Sequence, residues 1–171
     1  MILKRYFFPD IMLHCVGEIN VKGLSERGVK FALIDIDNTL VPYTCPEPTE
    51  EALGFLKKLT DNNIVYSFVS NNSESRVGKF NENIGASFYA RAKKPLLYGV
   101  NRAMIKLGAT KDNTILIGDQ IFTDVMAGKR AGLYTILVEP IIECETLFFK
   151  FKRFFEKKII KKYQEESMKN D

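Results

Sequence analysis

The chain has 171 residues, of which 46% are hydrophobic and 27% are charged, and its net charge is +4. This length fits one domain that buries roughly two thirds of its unfolded surface, and the composition is ordinary for a globular protein. No segment approaches the ~20 apolar residues of a membrane span and no secretory signal begins the chain, so we expect a cytoplasmic protein.

The cysteines and the single histidine give no sign of a metal or disulfide framework. The three cysteines, Cys15, Cys45 and Cys144, are odd in number and lack the Cys-X-X-Cys spacing of zinc sites. His14 has neighbouring apolar residues and no second histidine to form a metal site with. We interpret these residues as incidental or structural.

The positive charge is concentrated in one segment. Residues 147–163 contain seven Lys or Arg residues and one Glu, a net charge of +6, which leaves −2 for the rest of the chain. Any attraction to an anionic surface is therefore expected to come from this segment.

The chain begins with a lead-in over residues 1–28, followed by alternating strands and helices. Apolar residues of the lead-in favour a short helix after Pro9. The apolar run that follows predicts a strand at about residues 30–35, buried on both faces. Further strands are predicted at 64–69, 87–89, 114–117 and 134–138, and helices between them at about 49–61, 73–83, 95–107 and 123–131.

Such an alternation predicts an α/β fold, a doubly wound, Rossmann-like parallel sheet of about five strands. We divide the chain into a lead-in (1–28), a catalytic core (29–140) and a basic, aromatic C-terminal helix and tail (141–171). The most distinctive polar residues follow the carboxyl ends of the strands, where open parallel sheets bind their ligands: Asp35, Asp37, Ser70, Asn71, Lys94, Asp119 and Asp124.

Those polar residues have the chemistry of a phosphoryl-transfer site. Clustered carboxylates repel one another unless they share protons or bind a cation, and oxygen ligands suit Mg²⁺. Lys94 can balance phosphate charge, and Ser70 and Asn71 lie near a helix N-terminus, which favours anions. An aspartate can act as the nucleophile while a second aspartate transfers protons.

Four segments resemble the motifs of the haloacid dehalogenase (HAD) superfamily of phosphatases, in family order. Asp35-Ile36-Asp37-Asn38-Thr39-Leu40 is similar to motif I, Ser70-Asn71-Asn72 to motif II, Lys94-Pro95 to motif III, and the segment from Gly118 to Asp124 to motif IV. Lys93 competes with Lys94 for motif III, but the family places lysine directly before proline. Together these motifs cover about residues 30–140.

The resemblance implies a role for each matching residue. Asp35 would be the nucleophile and a metal ligand, and Asp37 the general acid and base, which also offers its backbone carbonyl to the metal. Ser70 and Lys94 would hold the phosphoryl group, with Asn71 beside them. Asp119 and Asp124 would complete the site for Mg²⁺.

The intervals between the motifs leave no room for a cap domain, which encloses small substrates in many HAD enzymes. Each interval accommodates about one helix and one strand, so we expect an open site that accepts a large or surface-bound substrate.

The basic C-terminal segment allows two interpretations. At 100° per residue its bulky apolar residues share one side of a helix (Leu147, Phe148, Phe151, Phe154, Phe155 and Ile159), with lysines and an arginine opposite (Lys150, Arg153, Lys157 and Lys161). That face can pack on the sheet, or the helix can lie on an anionic membrane and make the protein peripheral. The two can coexist along the segment.

These features together resemble the subfamily IIIA, YqeG-like group, which is related to phosphatidylglycerophosphate phosphatases. The resemblance implies a Mg²⁺-dependent phosphomonoesterase that acts on a lipid headgroup at a membrane. The alternatives are a HAD phosphatase for a soluble metabolite or a nucleic-acid 3′-phosphate, and an RNA- or ribosome-associated protein that uses the basic tail. No base-reading motif supports nucleic acid, and the complete carboxylate set disfavours a non-catalytic scaffold.

Overall fold

The computed structural model describes residues 2–142 and 147–168, so Cys144 lies outside the described residues. The strands are β1 (Ile11–Leu13), β2 (Phe31–Ile34), β3 (Val65–Val69), β4 (Ser87–Tyr89), β5 (Thr114–Gly118) and β6 (Tyr134–Val138). The helices are α1 (Ile2–Phe7), α2 (Val21–Glu26), α3 (Glu50–Asp61), α4 (Glu74–Asn81), α5 (Leu97–Leu107), α6 (Met126–Ala131) and α7 (Leu147–Ser167). A π-helical turn, Ile121–Val125, precedes α6.

The strands form one parallel sheet in the order β1-β6-β5-β2-β3-β4. The central strand β2 is fully buried from Ala32 to Ile34, as its unbroken apolar sequence predicted. From β2 the chain adds β3 and β4 on one side of β2, and it then crosses to add β5 on the other side of β2. This reversal of winding direction places a crevice beside β2. The predicted doubly wound α/β fold is confirmed, with six strands rather than about five.

The additional strand comes from the lead-in, where the predicted helix after Pro9 is wrong. Residues 11–13 instead form β1 and pair with β6, Ile11 opposite Ile136 and Leu13 opposite Val138. A carboxylate oxygen of Asp10 accepts a hydrogen bond from the backbone N–H of Thr135 at 2.7 Å, which aligns the two segments. The apolar residues after Pro9 therefore extend the sheet.

The predicted helix caps are present. The Thr49 hydroxyl accepts from the N–H of Ala52 at 3.2 Å, and the Ser73 hydroxyl from the N–H of Arg76 at 3.3 Å. Helix α5 ends at Gly108, which has a positive φ of 66°. Pro95 lies two residues before α5 rather than in its first turn.

No cap domain interrupts the core. Between Asp37 and Ser70 the chain forms a proline-containing loop, α3 and β3, and between Ser70 and Lys94 it forms α4 and β4. The structure describes every residue of these two intervals, so the expectation of an uncapped core is confirmed.

Of the apolar side predicted for α7, the described side chains divide between the core and solvent. Ile159 is buried against Ile121 and Leu137, whereas Phe154 and Phe155 are 54% and 41% exposed. The buried Glu156 sets this orientation, because its carboxylate accepts the N–H of Phe122 at 3.2 Å. Lys157 and Lys161, predicted on the opposite side, are exposed. The structure does not describe the side chains of the other residues assigned to the two sides, which are Leu147, Phe148, Lys150, Phe151 and Arg153.

Among the helices in the described ranges, none combines the length and apolar character that crossing a bilayer requires.

Close packing at Gly99 of α5 gives a test of the fold. A Cβ at Gly99 would lie 2.5 Å from the Cα of Ala92 and 2.6 Å from its carbonyl oxygen. Because those atoms are backbone, Gly99→Ala is expected to lower the free energy of unfolding by about 1–3 kcal/mol in urea denaturation. Gly54→Ala in α3 is the matched control: its Cβ meets nothing within 4 Å, so a gain of up to about 1 kcal/mol is expected. Equal stability of the two variants would contradict this packing.

Candidate active site

The carboxyl ends of the four strands β2 to β5 bring the predicted polar residues to one edge of the sheet. Asp35 follows β2, Ser70 follows β3, Lys94 follows β4 by five residues, and Asp119 follows β5. The crevice beside the central strand β2 thus contains the residues that the motifs singled out.

Three buried carboxylates form the centre of this site. Asp35, Asp119 and Asp124 each contribute an oxygen, and these oxygens all lie within 4.8 Å of one another. The close approach of Asp124 requires Gly118, because a Cβ there would lie 2.4 Å from both Cβ and Cγ of Asp124. A buried, oxygen-only donor set with excess negative charge fits Mg²⁺.

Lys94 lies between two of these carboxylates. Its ammonium group donates to Asp35 Oδ1 at 2.7 Å and to Asp124 Oδ1 at 2.5 Å, and its side chain is only 2% exposed. Burial opposes the charge on Lys94, but Asp124 and Asp35 outweigh it, so the pKa of Lys94 lies above its usual value. Lys93, the competing motif III candidate, is exposed.

The surroundings of Asp35 disfavour the ionised form of its carboxyl group. Burial, assisted by the nearby charges of Asp124 and Asp37, raises its pKa from 3.8 to about 7, although Lys94 pulls in the opposite direction. A cation at the cluster would favour the ionised form of Asp35 and relieve this cost.

The Asp37 side chain lies outside the three-carboxylate cluster. Its Oδ1 accepts from Arg76 Nη2 at 2.8 Å and its Oδ2 from Asn72 Nδ2 at 3.1 Å. Arg76 also donates to the backbone carbonyls of Cys45 and Pro46, at 2.7 and 3.2 Å. Arg76 therefore fixes the Asp37 carboxylate to the proline-containing loop beside the site.

Ser70 and Asn71 occupy different positions in the site. The buried Ser70 hydroxyl accepts from the N–H of Asn72 at 3.1 Å. The Asn71 side chain accepts from the backbone N–H of Lys94 at 2.6 Å and donates to its carbonyl at 2.9 Å. Asn71 thus positions the backbone of Lys94, while it also lines the cavity.

The site opens into a cavity of about 550 Å³. Besides the predicted residues, Tyr43, Gln120 and Lys152 line this cavity. Sequence reasoning missed Arg76 and Lys152. Arg76 lies in the first turn of α4, three residues after the Ser73 cap, and this position close to motif II could have identified it as a candidate site residue. No local sequence pattern distinguishes Lys152.

Comparison with known proteins supports a HAD-like assignment. Residues 92–140 match the HAD-hydrolase-like family model. The chain is 36% identical over 158 residues to the probable phosphatase YqeG of Bacillus subtilis, covering 92% of each chain. It is 28% identical over 156 residues to phosphatidylglycerophosphate phosphatase 1 of Arabidopsis thaliana, covering 85% of this chain but 44% of that protein. A HAD subfamily III A hydrolase structure from Legionella pneumophila shares the fold, with 15% identity, 71% coverage of each chain and a TM-score of 0.51.

Addition of Mg²⁺ is expected to raise the melting temperature, and the increase should grow as the pH rises from about 5 to about 8. The pKa of Asp35 in the folded protein lies above its ordinary value. The metal-free protein therefore loses stability as the pH rises from 3.8 to about 7 and Asp35 ionises. Bound Mg²⁺ would restore this stability. Differential scanning fluorimetry measures both trends.

The matched controls for this prediction are two carboxylate-to-amide variants. Asp119→Asn removes a buried member of the cluster and should diminish the Mg²⁺ effect at every pH, whereas Asp61→Asn alters an exposed carboxylate on α3 and should preserve it. A Mg²⁺ effect that is absent or independent of pH would contradict the assignment.

Proposed function

Because the chain belongs to the HAD superfamily of phosphatases, in the group of the YqeG protein, we propose that it is a Mg²⁺-dependent phosphomonoesterase acting through an aspartyl phosphate on Asp35. We further propose a membrane-presented phosphate, such as that of phosphatidylglycerophosphate, as its substrate. The observation that carries the mechanism is the buried cluster of Asp35, Asp119 and Asp124 with Lys94 between two of its members.

Asp35 and Asp37 divide the chemistry between them. An oxygen of Asp35 attacks phosphorus, the bond from phosphorus to the leaving oxygen breaks, and Asp37 donates a proton to the leaving alcohol. Asp37 then takes a proton from a water molecule, which attacks phosphorus and releases inorganic phosphate, restoring Asp35. Arg76 and Asn72 orient the Asp37 carboxyl for both transfers.

The remaining residues balance the charge of the phosphoryl group. Lys94 and the Ser70 hydroxyl lie where they can contact its oxygens, and Asn71 holds the backbone of Lys94. Asp35, Asp119 and Asp124, with the backbone carbonyl of Asp37, would hold Mg²⁺. When bound, this ion supplies positive charge that offsets the phosphoryl oxygens.

A membrane-presented substrate is supported by the uncapped site and by the exposed side of α7. The Phe154 and Phe155 rings are 5.6 Å apart, and the ammonium of Lys158 lies 4.3 Å from the Phe154 ring centre. Exposed aromatic rings beside a lysine are suited to the interface of an anionic bilayer. The similarity to the Arabidopsis phosphatidylglycerophosphate phosphatase supports the same substrate class.

The nucleophile assignment is tested with Asp35→Asn. Because an amide cannot form the acyl phosphate, the variant is expected to lose at least about 10³-fold in Mg²⁺-dependent phosphate release while its circular dichroism spectrum is retained. Asp61→Asn, an exposed carboxylate on α3, is the control and should remain active. Full activity of Asp35→Asn on its best substrate would refute the aspartyl-phosphate mechanism.

The substrate class is tested with phosphatidylglycerophosphate in anionic vesicles, soluble phosphomonoesters and a 3′-phosphorylated oligonucleotide. We expect fastest release from the vesicles, and expect Phe154→Ser with Phe155→Ser to slow it about 10-fold by weakening vesicle binding, as measured by sedimentation. Ile105→Ser removes an even more exposed apolar side chain, on α5, and should have little effect. Faster hydrolysis of a soluble ester or the oligonucleotide would favour the corresponding alternative.

A further inference from the structure

A cavity of about 540 Å³, separate from the active-site cavity, lies along β4. Phe88 and Tyr89 both line it, although Phe88 packs with the apolar cluster of α4 and Tyr89 with that of α5. Its walls come from both of these helices, with Glu74 on the α4 side and Ile105 on the α5 side. The cavity therefore runs along the outer edge of β4, the last strand of the sheet. We call it the β4 groove.

The backbone of β4 directs hydrogen-bonding groups into this groove. The carbonyl of Tyr89 accepts from the N–H of Ser70 at 3.1 Å and so points toward β3. In a planar trans peptide the C=O and the following N–H point in opposite directions, so the N–H of Ala90 points away from β3. The parallel register with β3 directs the N–H and C=O of Phe88 outward in the same way. The outer edge of β4 can therefore form the hydrogen bonds of a further strand.

The β4 groove is also positively charged. Arg91, Arg102 and Lys106 line it and are exposed, against the single carboxylate of Glu74. Among the residues that the structure describes, no carboxylate forms an ion pair with any of these three cations. Arg102 and Lys106 are four residues apart on α5, so they lie on the same side of that helix. The groove thus favours an anionic occupant on its α5 side.

An acidic strand fits the groove better than a second copy of this chain does. Two copies paired through β4 would bring the same cations to one shared edge, and like charges at a sheet edge oppose pairing. Those cations instead attract an extended segment whose Asp or Glu side chains face α5. Because side chains alternate along a strand, the intervening residues of that segment would face Phe88 on the α4 side, where apolar residues suit.

We propose that the β4 groove binds an extended segment of a partner protein in which acidic and apolar residues alternate, and that this segment adds to the sheet as a further strand. Hydrogen bonds to the backbone of Phe88 and Ala90 hold the segment, and the cations on the α5 side select its acidic residues. The inference does not depend on the proposed phosphatase function, because none of the residues assigned to the reaction lines this groove.

The test uses a fluorescein-labelled peptide of alternating Glu and Val, and a matched peptide of alternating Lys and Val. Fluorescence anisotropy with the full chain is expected to give a Kd for the Glu peptide at least about 10-fold below that for the Lys peptide. Arg102→Gln with Lys106→Gln should raise the Kd of the Glu peptide about 10-fold without changing the melting temperature. Lys158→Gln with Lys162→Gln removes the same charge at the same spacing from α7, and should change that Kd less than about 2-fold.

Amide hydrogen exchange, followed by NMR, locates the bound peptide. The Glu peptide is expected to slow exchange at Phe88 and Ala90 at least about 10-fold, whereas Tyr89, whose N–H faces β3, should change little. Failure of the wild-type protein to bind the Glu peptide, equal Kd values for the two peptides, or binding that leaves both amides unprotected would overturn the inference.

Two further results would also reject an acidic strand as the occupant. Loss of binding in the α7 double variant alone would assign the peptide to the basic helix. A dimer whose formation itself protects the Phe88 and Ala90 amides would make a second copy the occupant. Phosphate release in Mg²⁺ is measured on the same preparations, and its absence would refute the proposed phosphatase function while leaving the peptide result to stand or fall separately.

Discussion

The buried ion network of Lys94, Asp35 and Asp124 is the interaction on which the site depends. It joins three separate segments, those that follow β2, β4 and β5, and removing one partner of such a network leaves an uncompensated buried charge. The two carboxylates of this network already outnumber its one ammonium group, and Asp119 beside them adds a third carboxylate. Burial, assisted by the neighbouring carboxylates, raises the pKa of Asp35, and a bound cation would oppose that shift.

Much of the fold was predictable because parallel strands leave a strong local pattern. The apolar run before Asp35 predicted a central strand, and the caps at Thr49 and Ser73 predicted where helices begin. The family and the phosphatase class, inferred from four motifs in order, are confirmed. The catalytic and metal-binding roles of individual residues remain predictions, although the fold brings Asp35, Lys94, Asp119 and Asp124 together.

The contacts that escaped prediction are those between segments far apart in the chain. Asp37 and Arg76 are 39 residues apart, and Phe122 and Glu156 are 34 apart, so no helical or strand periodicity relates them. Helix α7 shows the consequence most clearly. Its apolar residues occur on more than one side, and the docked face is selected by a buried glutamate, which an apolar pattern would place in solvent.

Helix α7 has two distinct sides, one that docks on the core and one that is exposed. Lys152 and Glu156 face the core, four residues apart, whereas Phe154 and Lys158, also four residues apart, face solvent. Docking on the core and the proposed membrane contact would therefore use opposite sides of one helix. Because different residues serve each role, substitutions on the exposed side should alter surface binding without altering the docking of the helix, and substitutions on the docked side should act first on stability.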